Sequence, residues 1–175
     1  MAEWAALSID VWESKLMRDA DNVVDSASAI ADERAILRVL YTYGHAIDYG
    51  EEKKWVGLFT PDGIFHVELP GGRPPIHCAG SKQLAAFVAA HPRAPAALHK
   101  HLLLNSLIDV HDHEAQAASY FQLLLDIDGK PETYCFGRYL DQLVRCEDGF
   151  WRFRKRVAQV QSMLPHGFPH NGGDR

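Results

Sequence analysis

Residues 98–162 read LHKHLLLNSLIDVHDHEAQAASYFQLLLDIDGKPETYCFGRYLDQLVRCEDGFWRFRKRVAQVQS. Three short breaks divide this stretch, at residues 112–114, 128–131 and 147–149, and they carry turn-forming residues such as Asp, Gly and Pro. Such breaks between long segments of alternating residues are typical of β-hairpins. The pattern predicts four long strands, near Leu98–Val110, Ala115–Ile127, Thr133–Cys146 and Phe150–Ser162.

The preceding part of the chain has a helical period. Apolar residues recur every three or four positions from Ser28 to Tyr49, and Gly50 supplies a stop. The next elements are expected to be a helix over Glu51–Phe59, a turn at Thr60–Gly63, strands at Ile64–Leu69 and Ile76–Ala79, and a helix from Ser81 to about His91. Helices first and hairpin-linked strands afterwards predict one α+β domain over residues 28–162.

Both ends of the chain fall outside this predicted domain. Residues 1–27 are acidic and mildly apolar, and we interpret them as an N-terminal helical arm that packs on the domain or on a neighbouring subunit. A partly ordered arm is the open alternative. Residues 163–175 carry Gly, Pro and His without periodicity, which predicts a flexible C-terminal tail.

Composition excludes several classes of function. The chain has 175 residues and a formal net charge of -5, and its Lys and Arg are scattered apart from residues 152–156. A nucleic-acid partner is therefore not expected. The apolar runs are too short to span a membrane, and the N-terminus lacks the features of a signal peptide. The three cysteines form no CxxC pair, so we expect a cytoplasmic protein without disulfides.

Four motifs, in this order, carry a resemblance to a known family. They are Tyr-Gly-His-Ala-Ile-Asp at 43–48, Phe-Thr-Pro-Asp-Gly at 59–63, His-Lys-His-Leu-Leu-Leu-Asn at 99–105 and Glu-Asp-Gly-Phe-Trp-Arg-Phe at 147–153. The chain resembles the SnoaL-like branch of the nuclear transport factor 2-like (NTF2-like) superfamily. That branch includes scytalone dehydratase, hexachlorocyclohexane dehydrochlorinase and bile-acid 7α-dehydratase. The resemblance implies a cone-shaped barrel, in which N-terminal helices close a curved mixed or antiparallel sheet.

Asp48 stands at the end of the first predicted helix. In an ideal helix it shares one stripe with Leu37, Tyr41 and Gly44, and the rest of that stripe is apolar. We therefore predict that Asp48 faces the mouth of a pocket. A solvated carboxylate at the helix end is the alternative.

The resemblance implies a partner for Asp48. In the related enzymes an aspartate on the first helix orients a histidine on the first long strand, and His101 takes that place here. A carboxylate on one ring nitrogen strengthens a histidine as a base at the other. His99 lies on the same face of the strand and competes with His101 for this role.

Groups that bind the substrate oxygen are also implied. Tyr43 matches the tyrosine that has this function in bile-acid dehydratases. An ideal helix places Tyr43 about 140° from Asp48, whereas Tyr41 lies on the better stripe, so both remain candidates. Asn105 shares the strand face of His101, from which it would donate to a developing oxyanion.

A cation is the remaining polar element of the implied site. Arg156 or Arg138 is the candidate for the positive charge that some relatives use. By strict alternation the arginines of the last strand point outward, and only a bulge reverses this. The apolar lining of the pocket is predicted from Phe65, Phe87, Leu103, Phe121, Phe136 and Trp151.

Metal and cofactor chemistry have little support in the sequence. The histidine pairs His99-x-His101 and His111-x-His113 are not accompanied by an HExxH motif or by a cysteine ligand set, so no metal is predicted. The chain also lacks a phosphate-binding glycine loop, a GxGxxG motif after a strand and a GxSxG motif. We therefore expect no cofactor.

The sequence and the resemblance together predict a cofactor-free lyase or isomerase that acts on a small apolar cyclic molecule. His101 would remove a proton from an activated carbon, and Asp48 would orient it. One alternative is a polyketide cyclase with the same dyad. Another is a non-catalytic binding or assembly module, such as the small subunit of ring-hydroxylating oxygenases, with Asp48 and His101 too far apart to bond. The fold further implies a homodimer or homotrimer.

Overall fold

The structure is a computed structural model that describes residues 27–165. The predictions for the N-terminal arm and the C-terminal tail fall almost entirely outside these residues. None of the helices in the described part is long and apolar enough to cross a membrane. In chain order the elements are α1 (Ala27–Asp48), α2 (Glu52–Val56), β1 (Phe59–Glu68), β2 (Ile76–Ala79), α3 (Gly80–Ala90), β3 (His99–His111), β4 (Glu114–Ile127), β5 (Lys130–Arg145) and β6 (Trp151–Met163).

The strands form one curved, unclosed sheet in the order β2-β1-β6-β5-β4-β3. All neighbours are antiparallel except β1 and β6, which run parallel. Helix α1 packs on β3 and β6, and α3 packs on β1 and β2. This arrangement confirms the predicted α+β class with a mixed sheet and N-terminal helices. It brings the end of the first helix against the first long strand.

Helix α1 ends where the sequence predicts, and the end is well defined. Gly50 has φ of 70°, a left-handed conformation that glycine adopts without a steric cost. The backbone N–H of Glu51 donates to the carbonyl oxygen of Ala46 at 2.8 Å, as in a Schellman motif. This termination fixes the direction of the last helical turn, which carries Asp48.

The expected turn at Thr60–Gly63 is an irregular part of β1 instead. The second helix stops at Val56, and the pairing of β1 with β6 shifts register between Phe59 and Ile64. A Cβ on Gly63 would meet the Cβ of Phe59 and the carbonyl oxygen of Thr60 at 2.9 Å. The Pro-Asp-Gly sequence, which predicted a turn, therefore lies in a bulged strand. Bulges and turns favour the same residue types, so the sequence alone does not separate them.

Aromatic side chains fill most of the space between the sheet and the helices. Their ring centroids lie 5.0 to 6.3 Å apart in tilted and edge-to-face pairs, which are the favoured geometries. The cluster comprises Tyr43, Trp55, Phe59, Phe65, Phe87 and Phe153. The space between the sheet and the helices is thus largely a packed core.

Candidate active site

Asp48 and His101 form a close pair. His101 Nδ1 lies 2.6 Å from Asp48 Oδ1, and the backbone N–H of His101 donates to both carboxylate oxygens at 3.3 and 3.1 Å. Asp48 is 3% exposed, so the alternative of a solvated helix-end carboxylate is wrong. The long separation that a non-catalytic module predicts is also not found.

A close contact between helix and strand makes this pair possible. A Cβ on Gly44 would lie 2.9 Å from the carbonyl oxygen of His101 and 3.5 Å from its Cβ. Only glycine lets α1 approach β3 this closely. One helical turn later, Asp48 reaches the backbone and the ring of the same histidine.

His99 and His91 border the pair. The side chain of His99 is 0% exposed, with Nε2 3.3 Å from Asp48 Oδ1 and Nδ1 3.2 Å from the carbonyl oxygen of Ala97. The ring of His91, the residue after α3, lies 5.3 Å from that of His99 and 5.6 Å from that of His101. Burial, reinforced by neighbouring positive charge, lowers the pKa of His91 to about 3 and also lowers the pKa of His99. Both rings are therefore neutral near pH 7.

A cavity of about 250 Å³ opens beside the pair. It lies between the C-terminal half of α1 and the start of β3. Its walls are mostly apolar and aromatic, and they comprise Leu40, Tyr41, Tyr43, Gly44, His45, His101, Leu102, Leu103, Leu104 and Tyr139. His101 is the member of the pair that reaches the cavity, and Asp48 supports it from behind.

The structure separates the two candidate tyrosines. Tyr43 is 3% exposed and its ring meets that of His101 edge-on at 6.2 Å, whereas Tyr41 is 50% exposed at the cavity rim. Both tyrosines line the cavity, although the ideal helical stripe places only Tyr41 on the side of Asp48. Burial raises the pKa of Tyr43 well above its usual value, and the nearby positive charge of Arg156 opposes this only in part.

Arg156 lies inside the fold, in contrast to the prediction from alternation. Residues Phe153 and Lys155 pair with the consecutive residues Leu143 and Gln142, so Arg154 is an extra residue in β6. This bulge shifts the alternation and turns Arg156 into the core, with 0% exposure.

Asp141 holds Arg156 there in two-point contact. The bonds are 2.8 Å from Nε to Oδ1 and 2.9 Å from Nη2 to Oδ2. The rings of Tyr43, Tyr139 and Phe153 lie 4.0 to 4.3 Å from the guanidinium carbon. Burial raises the pKa of Asp141 against the attraction of the guanidinium. Burial also acts to lower the pKa of Arg156, but the charge and hydrogen bonds of Asp141, together with Tyr139 and Tyr43, raise that pKa.

A second bulge moves Asn105 away from the proposed oxyanion position. Between the pairs Leu104–Tyr120 and Leu107–Ala118, two residues of β3 face the single residue Ser119. Asn105 adopts φ of 50° and is exposed, so its predicted place on the face of His101 is wrong. Ser106 takes the inward position, where Ser119 Oγ donates to Ser106 Oγ at 3.0 Å.

The predicted lining residues are dispersed. Leu103 lines the cavity, whereas Phe65 and Phe87 pack on each other at 5.0 Å and Phe121 stacks on Tyr139 at 4.5 Å within the core. Phe136 is 49% exposed, so the prediction that it lines the pocket is wrong. Arg138 is half-buried and its Nε donates to Gln159. Trp151 is buried away from the cavity and donates to Asp32.

Two buried polar residues escaped the sequence analysis. His91 directly follows helix α3, and nothing in its local sequence pattern distinguishes it from a surface residue. Asp141 could have been found, because strict alternation along β5 places it inward among Tyr139 and Leu143. A buried carboxylate requires a cation on a neighbouring strand, which would have indicated the inward position of Arg156.

Solved structures of other proteins show the same fold. A Novosphingobium aromaticivorans protein proposed to be a scytalone dehydratase is 18% identical with a TM-score of 0.66, over 82% of this chain and 93% of its own. From the same species, the beta subunit of a proposed aromatic-ring-hydroxylating dioxygenase is 22% identical with a TM-score of 0.66, over 78% and 94%. A Catenulispora acidiphila protein in complex with S-DNPA is 26% identical with a TM-score of 0.63, over 75% and 94%.

The family itself is shown by the sequence match. No curated protein matches the chain. The family model described as the SnoaL-like domain matches residues 28–157, which is most of the chain. Proteins of this superfamily include polyketide cyclases and scytalone dehydratase-like proteins. The chain therefore belongs to the SnoaL-like family and has the NTF2-like, or cystatin-like, fold.

Proposed function

We propose that this protein is a cofactor-free lyase or isomerase that acts on a small apolar cyclic molecule. It removes a proton from a carbon α to a carbonyl, or from a similarly activated carbon. It then eliminates water or another leaving group, or moves a double bond. The observation that carries this proposal is the 2.6 Å contact between His101 Nδ1 and Asp48 Oδ1 beside the cavity.

The pair supports general acid–base chemistry at His101 Nε2. When Nδ1–H donates to the carboxylate of Asp48, the lone pair of the neutral ring is placed on Nε2. The backbone N–H of His101 also donates to both oxygens of this carboxylate, which fixes the position of Asp48 relative to the ring. A general base in such a position contributes a rate factor of roughly 10²–10⁴.

Tyr43 is the group proposed to bind the oxygen of the substrate. It lines the cavity next to His101, and its raised pKa keeps the hydroxyl protonated, so that it is available as a donor at neutral pH. Arg156 lies 4.2 Å from the centroid of the Tyr43 ring and does not line the cavity. Its proposed contribution is to hold and polarise the tyrosine. Tyr41 lies at the rim of the cavity, and Asn105 is not among the residues that line it.

The cavity favours a compact substrate. Its volume of about 250 Å³ lies just below the range of roughly 300–1,000 Å³ that is usual for small-molecule sites. Leu40 and Leu103 offer apolar walls to such a molecule. The ligand complex of the Catenulispora relative supports a small-molecule substrate, and a cyclase reaction on the same dyad is the nearest variant of this proposal.

The test follows proton removal directly. Cyclic hydroxy-ketones are incubated with the protein in D₂O, and exchange of the α-proton and loss of water are recorded by NMR. Asp48→Asn and His101→Gln should each lower the rate by roughly 10²–10⁴. If both variants act on an accepted substrate as fast as the parent, the proposed mechanism is wrong.

The same strand offers a matched control. His111 Nε2 lies 2.9 Å from Asp109 Oδ2 on the far end of β3, where the histidine is exposed. This pair has the same residue types and a similar bond, but it does not line the cavity beside His101. Asp109→Asn and His111→Gln should leave the rate unchanged.

Self-association is a further part of the proposal. The outer face of β3, β4 and β5 exposes large apolar side chains, namely Leu104, Leu107, Tyr120 and Phe136. A homodimer or homotrimer formed through this face would cover them. Sedimentation analysis of the parent and of Tyr120→Lys tests this, and a parent that stays monomeric at high concentration contradicts it.

A further inference from the structure

Three histidines share one enclosed site, here called the tri-histidine cluster: His91, His99 and His101. One ring nitrogen of each lies within 4.8 Å of those of the other two. His99 and His101 project from the same face of β3, and His91 reaches them from the end of α3. Metal-binding geometry therefore comes from two different elements, and the sequence pair His99-x-His101 supplies only part of it.

The spacing of the rings matches that of imidazoles around a tetrahedral ion. Zinc holds imidazole nitrogens at about 2.0–2.1 Å, which places the ring centroids roughly 5.2 Å apart. The three centroid separations in the cluster are 5.3, 5.5 and 5.6 Å. Small rotations about the side-chain torsions would bring the nitrogens to the spacing of about 3.4 Å that a tetrahedral site requires.

The surroundings of the cluster resemble the outer shell of a metal site. Metal-binding histidines usually donate their other ring N–H to a carboxylate or a backbone carbonyl. His101 Nδ1 contacts Asp48 Oδ1 at 2.6 Å, and His99 Nδ1 contacts the carbonyl oxygen of Ala97 at 3.2 Å. Both contacts leave Nε2 as the ligand atom. The carboxylate of Asp48 also supplies a negative charge next to the site, 3.3 Å from His99 Nε2.

We propose that the tri-histidine cluster binds one divalent metal ion of the zinc class. Imidazole nitrogens suit zinc, copper, iron and nickel, whereas magnesium and calcium prefer oxygen ligands. Three protein nitrogens leave the fourth position of a tetrahedral ion for water. This departs from the sequence prediction of no metal, which considered only the pairs His99-x-His101 and His111-x-His113 and found neither an HExxH motif nor a cysteine ligand set.

The site has a consequence for activity that rests on the proposed function. His101 Nε2 is the base of the proposed mechanism, and a bound metal occupies its lone pair. The metal-free protein is then the active form, and zinc is a reversible inhibitor that a chelator removes. Binding itself does not depend on what reaction the protein performs.

The binding test uses the full-length chain without an affinity tag, because tag histidines would compete for the ion. The protein is treated with EDTA, exchanged into chelator-free buffer and titrated with Zn²⁺ by calorimetry, with Mg²⁺ as the selectivity control. We expect one strong Zn²⁺ site per chain and no Mg²⁺ binding there. The visible spectrum of the Co²⁺ form should show tetrahedral ligand-field bands, and X-ray absorption should count three imidazole nitrogens.

Variants assign the site to the cluster. His91→Gln and His99→Gln each remove a ligand and should weaken Zn²⁺ binding by more than roughly 100-fold, whereas Asp48→Asn removes an outer partner and should weaken it roughly 10–100-fold. His77→Gln is the matched control, because His66 and His77 form an exposed pair with Nδ1 atoms 3.3 Å apart. Affinity that survives His91→Gln and His99→Gln, or that is lost in His77→Gln, overturns the proposal.

Spectra of the parent keep the test decisive if a variant fails to fold. Absence of a strong site in the parent, or a Co²⁺ spectrum without tetrahedral bands, also overturns it. Failure of this inference and failure of the proposed function remain distinguishable. Zinc that binds and inhibits supports both. Zinc that binds and activates supports the metal site but contradicts the cofactor-free mechanism, and a protein that is active yet binds no zinc retains the mechanism alone.

Discussion

A carboxylate–arginine pair and a carboxylate–histidine pair lie within this fold, and they differ in what surrounds them. Asp141 and Arg156 are both 0% exposed and share two hydrogen bonds. Asp48 and His101 share one side-chain bond, and the side chain of His101 is 10% exposed at a cavity. The first pair is sealed in the core and the second is open on one side.

The difference shows which pair is suited to chemistry. Arg156 Nη1 has no hydrogen-bond partner in the described part of the chain, and aromatic rings cover the guanidinium. A charge held in this way cannot meet a substrate unless the core opens. His101 keeps one ring nitrogen apart from its bond with Asp48 and borders open space. The open pair is therefore the one that we propose to react, and the sealed pair lies against the tyrosines beside it.

Removing one partner of the sealed pair should have the largest effect on stability. Asp141→Asn leaves the charge of Arg156 in the core without a counter-charge, and we expect the free energy of unfolding to fall by about 3–5 kcal/mol. Urea denaturation measures this. The double variant Asp141→Leu/Arg156→Met removes both charges and should recover most of the loss. If Asp141→Asn has the same urea midpoint of unfolding as the parent, the sealed pair does not contribute this stability.

Thiol reactivity tests whether the interior away from the cavity is closed. Burial raises the pKa of Cys135 to about 12. At pH 8 only about one thiol in ten thousand is ionised at such a pKa, so alkylation is slow and its rate rises with pH up to that value. Mass spectrometry after iodoacetamide treatment should find the half-buried Cys146 labelled first. Equal rates at the two cysteines would show that the interior opens readily.

Removing the carboxylate of the open pair should cost less stability. In Asp48→Asn the partner His101 can remain neutral, so no uncompensated charge is buried. We expect a loss of about 1–2 kcal/mol, because the amide of asparagine can keep part of the hydrogen bonding that the carboxylate provides. The same urea experiment checks this, with Asp141→Asn alongside. A loss as large as that of Asp141→Asn would mean that the two pairs are equally structural.

The smallest effect is expected two residues before the sealed arginine. Arg154 is 49% exposed and pairs with Glu114 on the surface. Arg154→Ala should change the free energy of unfolding by less than about 0.5 kcal/mol, because exposed ion pairs contribute little. It thus serves as the arginine control for Arg156. A larger loss would indicate that the bulge itself depends on this side chain.

Much of the fold could be predicted because its signals are local. The breaks at 112–114, 128–131 and 147–149 mark the hairpins. The predicted ends of the four long strands β3 to β6 differ from the observed ends by three residues or fewer. The helix that ends at Gly50 could be predicted for the same reason. In the site, the position of Asp48 followed from helical spacing, whereas the choice of His101 and Tyr43 depended on the resemblance.

The remaining errors in the site have a common physical origin. The sequence analysis placed Asn105 inward and Arg156 outward. Each of these residues lies in a strand that holds one extra residue relative to its neighbour. Alternation is a rule with a period of two, so one inserted residue exchanges the inner and outer faces beyond it. His91 was missed for another reason, since only the tertiary fold brings the end of α3 next to β3.

The extra residue at Arg154 exchanges the inner and outer faces of strand β6 for the residues that follow it. Before it, odd-numbered residues such as Phe153 face the core, and after it even-numbered ones such as Arg156 and Ala158 do. A related chain without this residue would still present the counterpart of Arg156 to Asp141, but one position earlier in its sequence. Alignments of such chains therefore need a gap of one position between Phe153 and Lys155, or the interior cation will be assigned to the solvent face.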